Sequence, residues 1–347
     1  MQYSDKVNTE ILATMGPTLS EVEQIVDAIQ IGVRNFRIHM GVRSRNRYQY
    51  FVNAREAERI TGEHIEVLID LPSAKPRVGK FNTMRPIVGE NYCIKAVNDT
   101  TDASTIPLKC IDRYSQMLKQ GHRIVFSDGK IVFQILSVSN DAVNAKCIKS
   151  CSDLYSQISS CVFPDSDIEF DLFDQDDLEI LQKMKEAGLK PDWIAISFAN
   201  SSEKVNLTKD TVSAFWDSDV RYMAKIEDKK GVSNYADVLS SVDGIMVARG
   251  DMLSFVEPYK LPYIQKVLVD ATKRAHKTSV VATEMLEQFA HTGAICRPEL
   301  SDIALAVRQK ANAVMLSVES SNCERAMECM RLMHQIVEFE KGNENER

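Results

Sequence analysis

The chain has 347 residues, with 42 lysines and arginines against 49 aspartates and glutamates and a formal net charge of -7. With 44% hydrophobic and 26% charged residues it has an ordinary globular balance, long enough for one large domain and a small one. The acidic balance speaks against a general nucleic-acid binder, and no apolar run approaches the ~20 residues of a membrane span.

In chain order, the opening MQYSDKVNTE is polar and has no apolar signal core, so a cytoplasmic location is expected. EILATMG is a short apolar run. SEVEQIVDAIQIG follows, with a capping box at Ser20 and Glu23, apolar Val22, Ile25, Val26 and Ile29, and a stop at Gly32. Then come the strand-like NFRIHM, an arginine-rich polar stretch, a helix near 48–61 and the strand IEVLIDL.

From about Asp174 the alternation resumes: helix DQDDLEILQKMKEAG, strand DWIAISF, a helix around 202–215, strand RYMAKIE and helix NYADVLSSV. Strand DGIMVAR, helix YIQKVLVDATKRAH, strand SVVATEM, helix ELSDIALAVRQKA, strand AVMLSV and helix CERAMECMRLMHQIVEFEK complete the set, and KGNENER reads as a frayed tail. Eight strands, each followed by a helix, predict an α/β fold, a parallel (β/α)8 barrel. An open doubly wound sheet is the alternative, weakened by the lack of a phosphate-cradling glycine fingerprint.

Between about residues 80 and 165 the text changes to short β-like runs, YCIKAV, PLKCI, RIVFSDGKIVFQILSV and AVNAKCIK, with SDG as a hairpin signal. This predicts a small all-β lid domain, 80–165, inserted into a barrel formed by 1–79 and 166–347. The eight cysteines (93, 110, 147, 151, 161, 296, 323 and 329) contain no CxxC pair. In a long cytosolic chain they read as reduced thiols, with a zinc site at Cys147 and Cys151 the lesser reading.

Active sites of such barrels lie at the C-terminal strand ends. Those ends carry Arg37 and His39, Asp70, Ser197, Lys225 and Glu227, Arg249 and Asp251, Thr283 and Glu284, and Ser317 and Glu319. Any strand meets water at its end, which explains one or two charges. It does not explain Lys225 and Glu227, which alternate onto the same side of one strand. Glu227 and Asp251 are hard oxygen donors from neighbouring strands and suit Mg²⁺ or Mn²⁺; a structural salt bridge with Lys225 or Arg249 is the other reading. A metal beside a lysine can hold an oxyanion such as an enolate.

At these residues the chain resembles the pyruvate kinase family. AKIEDKKGV resembles the family's lysine and metal-glutamate segment, and VDGIMVARGDM is nearly identical to its metal-aspartate segment. VVATEMLE, RPELSDIALAV, AVMLSVES, ILATMGPT, NFRIHMG and DLPSAKPRVG match further segments, so the likeness spans about residues 9–335. The resemblance implies phosphoryl transfer from phosphoenolpyruvate to ADP. It assigns the divalent metal to Glu227 and Asp251, and charge stabilisation on phosphoryl group and enolate to Lys225. Thr283 would assist enolate protonation through a water, Arg37 and Arg77 would grip the phosphoryl group, and the Ala248–Arg249–Gly250 backbone would seat the substrate carboxylate.

The chain also departs from the family. RIHMGVR stands where the family has RxNFSHG, so His39 and Gly41 replace two side-chain ligands of the monovalent cation. Leu71 replaces a threonine that contributes a backbone oxygen, and Asp70 is kept. Lys75 stands where potassium-independent members carry lysine, so K⁺ is not expected to be required; a surface hinge lysine is the plainer reading. The lid segment SQISSCVFPD lacks the lysine that would hold nucleotide phosphates, and Glu284 replaces a glutamine. Arg43, Arg45 and Arg47 could bind an anion or form a solvated loop. The chain stops soon after the eighth strand's helix, so the family's C-terminal domain and its sugar-phosphate regulation are expected to be absent.

Three functions are weighed. The first is a short pyruvate kinase acting in glycolysis, with phosphoenolpyruvate or pyruvate and ADP as small-molecule partners and a homo-oligomer left open. The second is a relative doing metal-dependent pyruvate or oxaloacetate enolate chemistry, of aldolase or lyase type, without nucleotide. The third is an inactive scaffold, against which the intact Lys225, Glu227, Asp251 and Thr283 speak.

Overall fold

A computed structural model describes residues 8–41, 47–173, 175–216 and 219–344. Eight parallel strands close into a barrel. Three come first: β1 (Glu10–Thr14), β2 (Asn35–His39) and β3 (Glu66–Leu71). A six-stranded sheet follows in the chain, made of β4 (Asn91–Lys95), β5 (Thr105–Pro107), β6 (Arg123–Phe126), β7 (Ile131–Val138), β8 (Ala142–Ser150) and β9 (Cys161–Val162). The remaining barrel strands are β10 (Trp193–Ile196), β11 (Arg221–Ile226), β12 (Gly244–Ala248), β13 (Thr278–Ala282) and β14 (Ala313–Leu316). Around the barrel the order is β1-β14-β13-β12-β11-β10-β3-β2, so β1 pairs with both β14 and β2 and no edge is left.

The closed barrel replaces the open-sheet alternative. Most barrel strands are short, largely apolar runs because their two faces meet different apolar layers, the barrel interior and the surrounding helices. The interior holds Leu12, Leu68, Trp193, Ala195, Met223, Met246, Ala248, Val280, Ala282, Ala313 and Met315, all buried. Trp193 Nε1 donates to Glu66 (2.9 Å), and Arg221 both stacks on Trp193 and pairs with Glu66 at 2.7 Å.

Local signals set most boundaries. The helix Val22–Ile31 ends at Gly32, whose φ of 112° is left-handed backbone that glycine adopts without a Cβ clash. Its capping box sits one residue later than Ser20 and Glu23 predict. Gln24 Oε1 accepts the backbone N–H groups of Ser20 (2.9 Å) and Glu21 (3.1 Å), since glutamine reaches back from the first turn and Glu23 does not. The helix expected over NYADVLSSV starts earlier, at Lys229, because Asp228 caps it by accepting the Gly231 N–H at 2.6 Å. The last helix, Ala326–Glu344, runs three residues beyond the Lys341 expected as its end, into the segment read as a frayed tail; 345–347 lie outside the described residues.

The chain divides into two compact units. The first comprises 1–73, 172–249 and 259–347; the second comprises 74–171 and 250–258. The boundaries expected from sequence were 80 and 165, with 250–258 in the barrel. In the second unit the sheet order is β5-β4-β8-β7-β6-β9, and SDG forms the β6–β7 hairpin with Ser127, Asp128 and Gly129 all at positive φ. PLKCI is not a strand: only Pro107 is in β5, and Cys110 precedes the one-turn helix Ile111–Tyr114. The Ala74 N–H donates to the Asp171 carbonyl (2.7 Å), joining the ends of the segment.

Gly79 marks a close backbone approach, because a Cβ there would lie 1.9 Å from the Asn98 carbonyl oxygen. Gly79→Ala should therefore destabilise the protein by about 2 kcal/mol or more, read as a lower urea midpoint, since backbone and not a flexible side chain must give way.

Candidate active site

Strand alternation explains how charge enters the barrel. Side chains two apart on a strand share a face. Leu68, Ala195 and Met223 belong to the interior layer, so Asp70, Ser197 and Lys225 continue that face towards the C-terminal end. Neighbouring strands are in register there, with Asp70 beside Ala195 and Thr14 beside Arg37.

These side chains meet. Asp70, fully buried, accepts from Arg37 Nε and Nη2, both at 2.7 Å to Oδ2, and from Lys225 Nζ at 3.1 Å to Oδ1. Lys225 also donates to Ser197 Oγ (2.8 Å) and lies 3.2 Å from Glu227 Oε1. Arg37 Nη1 reaches Thr14 Oγ1 at 3.0 Å. Glu227, just past β11, accepts the Phe198 N–H at 2.7 Å through its other oxygen. Two cations therefore face two carboxylates in a buried cluster, the condition under which buried charge is tolerated.

Burial alone would raise the Asp70 carboxyl, but Lys225, Arg37 and His39 outweigh it and hold it well below the usual carboxylate range. Burial likewise opposes the Lys225 charge, and Asp70 and Glu227 more than offset it, so the ammonium is held more firmly than in water. Lys225 is thus a fixed positive charge at neutral pH and not a general base.

The ends of β12 and β13 differ from expectation. Strand β12 stops at Ala248, and Arg249 opens a short helix, Arg249–Phe255, that the sequence reading missed. The Arg249 side chain is a brace. Its Nε donates to the Ala282 carbonyl (2.9 Å), Nη2 to the Thr283 carbonyl (2.6 Å), and Nη1 to Asp302 (2.7 Å) and Gln265 (3.3 Å). Thr283 and Glu284 follow β13 with φ of 75° and 54°. A β-branched residue in left-handed backbone is rare and is held only where its surroundings over-determine it. Glu319 supplies the other hold. This carboxylate, 0% exposed, accepts the Leu286 N–H (3.3 Å) and the Ser317 N–H (2.7 Å). Burial pushes its carboxyl up, against the lowering by those N–H groups. Sequence named Glu319 only as a strand-end charge; its role as a loop tie had no signal beyond its position.

Of the remaining expected residues, Leu71 is buried in β3 beside Ile196, His39 ends β2, and Gly41 lies in the turn after it. Arg43 and Arg45 lie outside the described residues. Arg47 is no solvated anion binder: it is buried and paired with Asp177 at 3.0 Å, because it opens the helix Arg47–Thr61 against a neighbouring helix. In the second unit, Arg77 is exposed and its Nη1 donates to the Ile158 carbonyl (2.8 Å). Gly250 and Asp251 sit in the first turn of Arg249–Phe255, and Asp251 is paired with Lys75.

Glu227 and Asp251 are each, taken singly, the kind of ligand a divalent cation accepts. Both are hard oxygen donors, and each already holds the charged end of a lysine, Lys225 and Lys75 respectively. Among the described residues no helix is long and apolar enough to cross a membrane.

Buried charge gathered at the C-terminal strand ends of a closed parallel barrel defines a (β/α)8 catalytic-type scaffold with an inserted β-sheet unit. A family model described as the pyruvate kinase barrel domain matches residues 6–330, and the chain belongs to that family. It is similar to the pyruvate kinase of Thermococcus litoralis, 29% identical over 337 residues, covering 95% of this chain and 69% of the relative. It is also similar to that of Geobacillus stearothermophilus, at 26% identity over 96% of this chain and 57% of the relative. A crystal structure of a pyruvate kinase from Cryptosporidium parvum shares the fold with a TM-score of 0.82 at 24% identity, covering 95% of this chain and 68% of that one.

Two outcomes test this geometry. Glu319→Ala should lower stability by about 2–4 kcal/mol in urea titrations, because two backbone N–H groups lose their acceptor in the interior. Asp70 has a lowered folded-state value, so its contribution is complete above the unfolded carboxylate range and is lost as pH falls through the folded value. Asp70→Asn should accordingly flatten the acid side of the stability profile and cost about 3 kcal/mol at neutral pH, where Lys225 loses a counter-charge.

Proposed function

We propose that the chain transfers the phosphoryl group of phosphoenolpyruvate to ADP, forming pyruvate and ATP with a divalent metal. The observation that carries this reading is the buried Arg37–Asp70–Lys225–Glu227 cluster at the barrel's strand ends, in a chain of this family.

Each residue has a task its environment supports. Lys225, held charged by Asp70 and Glu227, faces the negative charge that develops on the transferring phosphoryl group and on the enolate. Arg37, aimed by Asp70 and Thr14, presents its guanidinium to phosphoryl oxygens, with Arg77 as the second grip. The Ala248–Arg249–Gly250 backbone seats the substrate carboxylate, where the first turn of a helix offers N–H groups. Thr283, pinned through its carbonyl by Arg249, holds a hydroxyl for water-mediated protonation of the enolate carbon. Glu227 and Asp251 would hold Mg²⁺ or Mn²⁺, which would supply positive charge for the substrate's developing oxyanion. His39 and Gly41 offer poor ligands for a monovalent cation, so turnover without K⁺ is part of this reading.

A second reading keeps the same residues for metal-dependent enolate chemistry on pyruvate or oxaloacetate without nucleotide. It is favoured by 156–165, SQISSCVFPD, which contains no lysine or arginine to hold nucleotide phosphates.

Pyruvate formation from phosphoenolpyruvate, ADP and Mg²⁺ separates the two. Turnover independent of K⁺ and reduced at least about 10³-fold in Lys225→Met is expected for the kinase. Absence of turnover, with pyruvate and Mg²⁺ still raising the melting temperature and ADP having no effect, would favour the enolate reading.

A further inference from the structure

Asp251, one of the two carboxylates read as metal ligands, already has a cation. Lys75 Nζ donates to Asp251 Oδ1, and the pair is shielded, with side-chain exposures of 11% and 18%. A second carboxylate is close: Asp128 Oδ1 lies 3.8 Å from the same Nζ. All three residues belong to one compact unit.

The backbone around them is anchored. On one side of Lys75 the Ala74 N–H donates to Asp171, and on the other the Pro76 carbonyl accepts the Cys161 N–H at 2.9 Å. Asp128 is at the tip of the β6–β7 hairpin, in left-handed backbone with φ of 54°. A Cβ at the next residue, Gly129, would lie 3.9 Å from Ser254 Oγ, so this tip packs against the helix that carries Asp251. What can move is the four-carbon stem of Lys75 and its rotatable ammonium.

We propose that Lys75 is a built-in counter-cation for Asp251: a divalent ion gains this carboxylate only by displacing the ammonium, which Asp128 then receives. The proposal rests on the reading of Asp251 as a metal ligand. A carboxylate oxygen engaged by an ammonium must give up that contact to coordinate a metal, and the two cations repel one another at close range. The apparent metal affinity is therefore lowered by the stability of the Lys75–Asp251 pair, as for any ligand that binds only a fraction of the population. Asp128 reduces this cost by offering the displaced charge a second partner. Under this scheme Lys75 opposes metal binding, whereas a surface hinge lysine would leave it unchanged.

Mn²⁺ binding to the full chain without substrate, followed by electron paramagnetic resonance of the free ion and by calorimetry, tests the scheme. Lys75→Met should bind Mn²⁺ about tenfold more tightly than wild type, the equilibrium equivalent of losing a shielded ion pair of ~1.4 kcal/mol. Asp251→Asn should lose the site. Asp128→Asn should bind about threefold more weakly in the wild-type background and unchanged in Lys75→Met, since Asp128 acts through the displaced lysine. Additive effects of the two substitutions would overturn the relay to Asp128. Unchanged or weaker binding in Lys75→Met, with Asp251→Asn abolishing it, would overturn the role of Lys75 and leave the metal reading standing. Binding unaffected by Asp251→Asn would overturn both. Circular dichroism checks each fold, and Lys75→Gln gives the same comparison if the methionine variant does not fold.

Discussion

The barrel's chemistry depends on one buried carboxylate, Asp70. Arg37 and Lys225 both end on it, from strands on either side of the position it occupies, and neither cation could sit in this apolar interior without it. The dependence is mutual, because a buried carboxylate with no partner would take up a proton instead of staying charged. Asp70 and Glu227 together hold Lys225 as a permanent cation, and this property suits electrostatic stabilisation of an oxyanion better than proton abstraction.

A second constraint shapes the loop after β13. Thr283 and Glu284 lie in left-handed backbone, which would relax if the loop were free. Arg249 ties the Thr283 carbonyl on one side, and Glu319 ties the Leu286 N–H on the other. The hydrogen bonds to the Thr283 carbonyl and from the Leu286 N–H hold this strained backbone in place, so the position of Thr283 is set by the side chains of Arg249 and Glu319.

Much of the fold was legible because its signals are local. Short, largely apolar runs and period-3.6 stripes marked all eight barrel strands and most helices, and Gly32 and the SDG turn punctuated the chain. The strand-end list also brought forward Arg37, Asp70, Lys225 and Glu227 before any contact was known. The misses have common physical causes. The helix Arg249–Phe255 follows its strand without a linker, so no turn residue announced it. Arg47 looked solvated because three arginines stood together, yet its burial depends on Asp177, 130 residues away in the chain. Lys75 and Asp251, 176 residues apart, gave no hint of each other.

What the sequence by itself determined is the alternation of elements, the face of each strand on which a charge falls, and the family motifs. These follow from short-range geometry, since alternate residues of a strand must share a side. Tertiary structure alone decided which charges meet. It set the strand order β2-β3-β10-β11, which places Asp70 between Arg37 and Lys225, and it turned the Arg249 side chain into a brace for Thr283. It also supplied Asp251 with a lysine. Partner choice among buried charges is settled by distances of about 3 Å between residues far apart in the chain, and no local pattern encodes those distances.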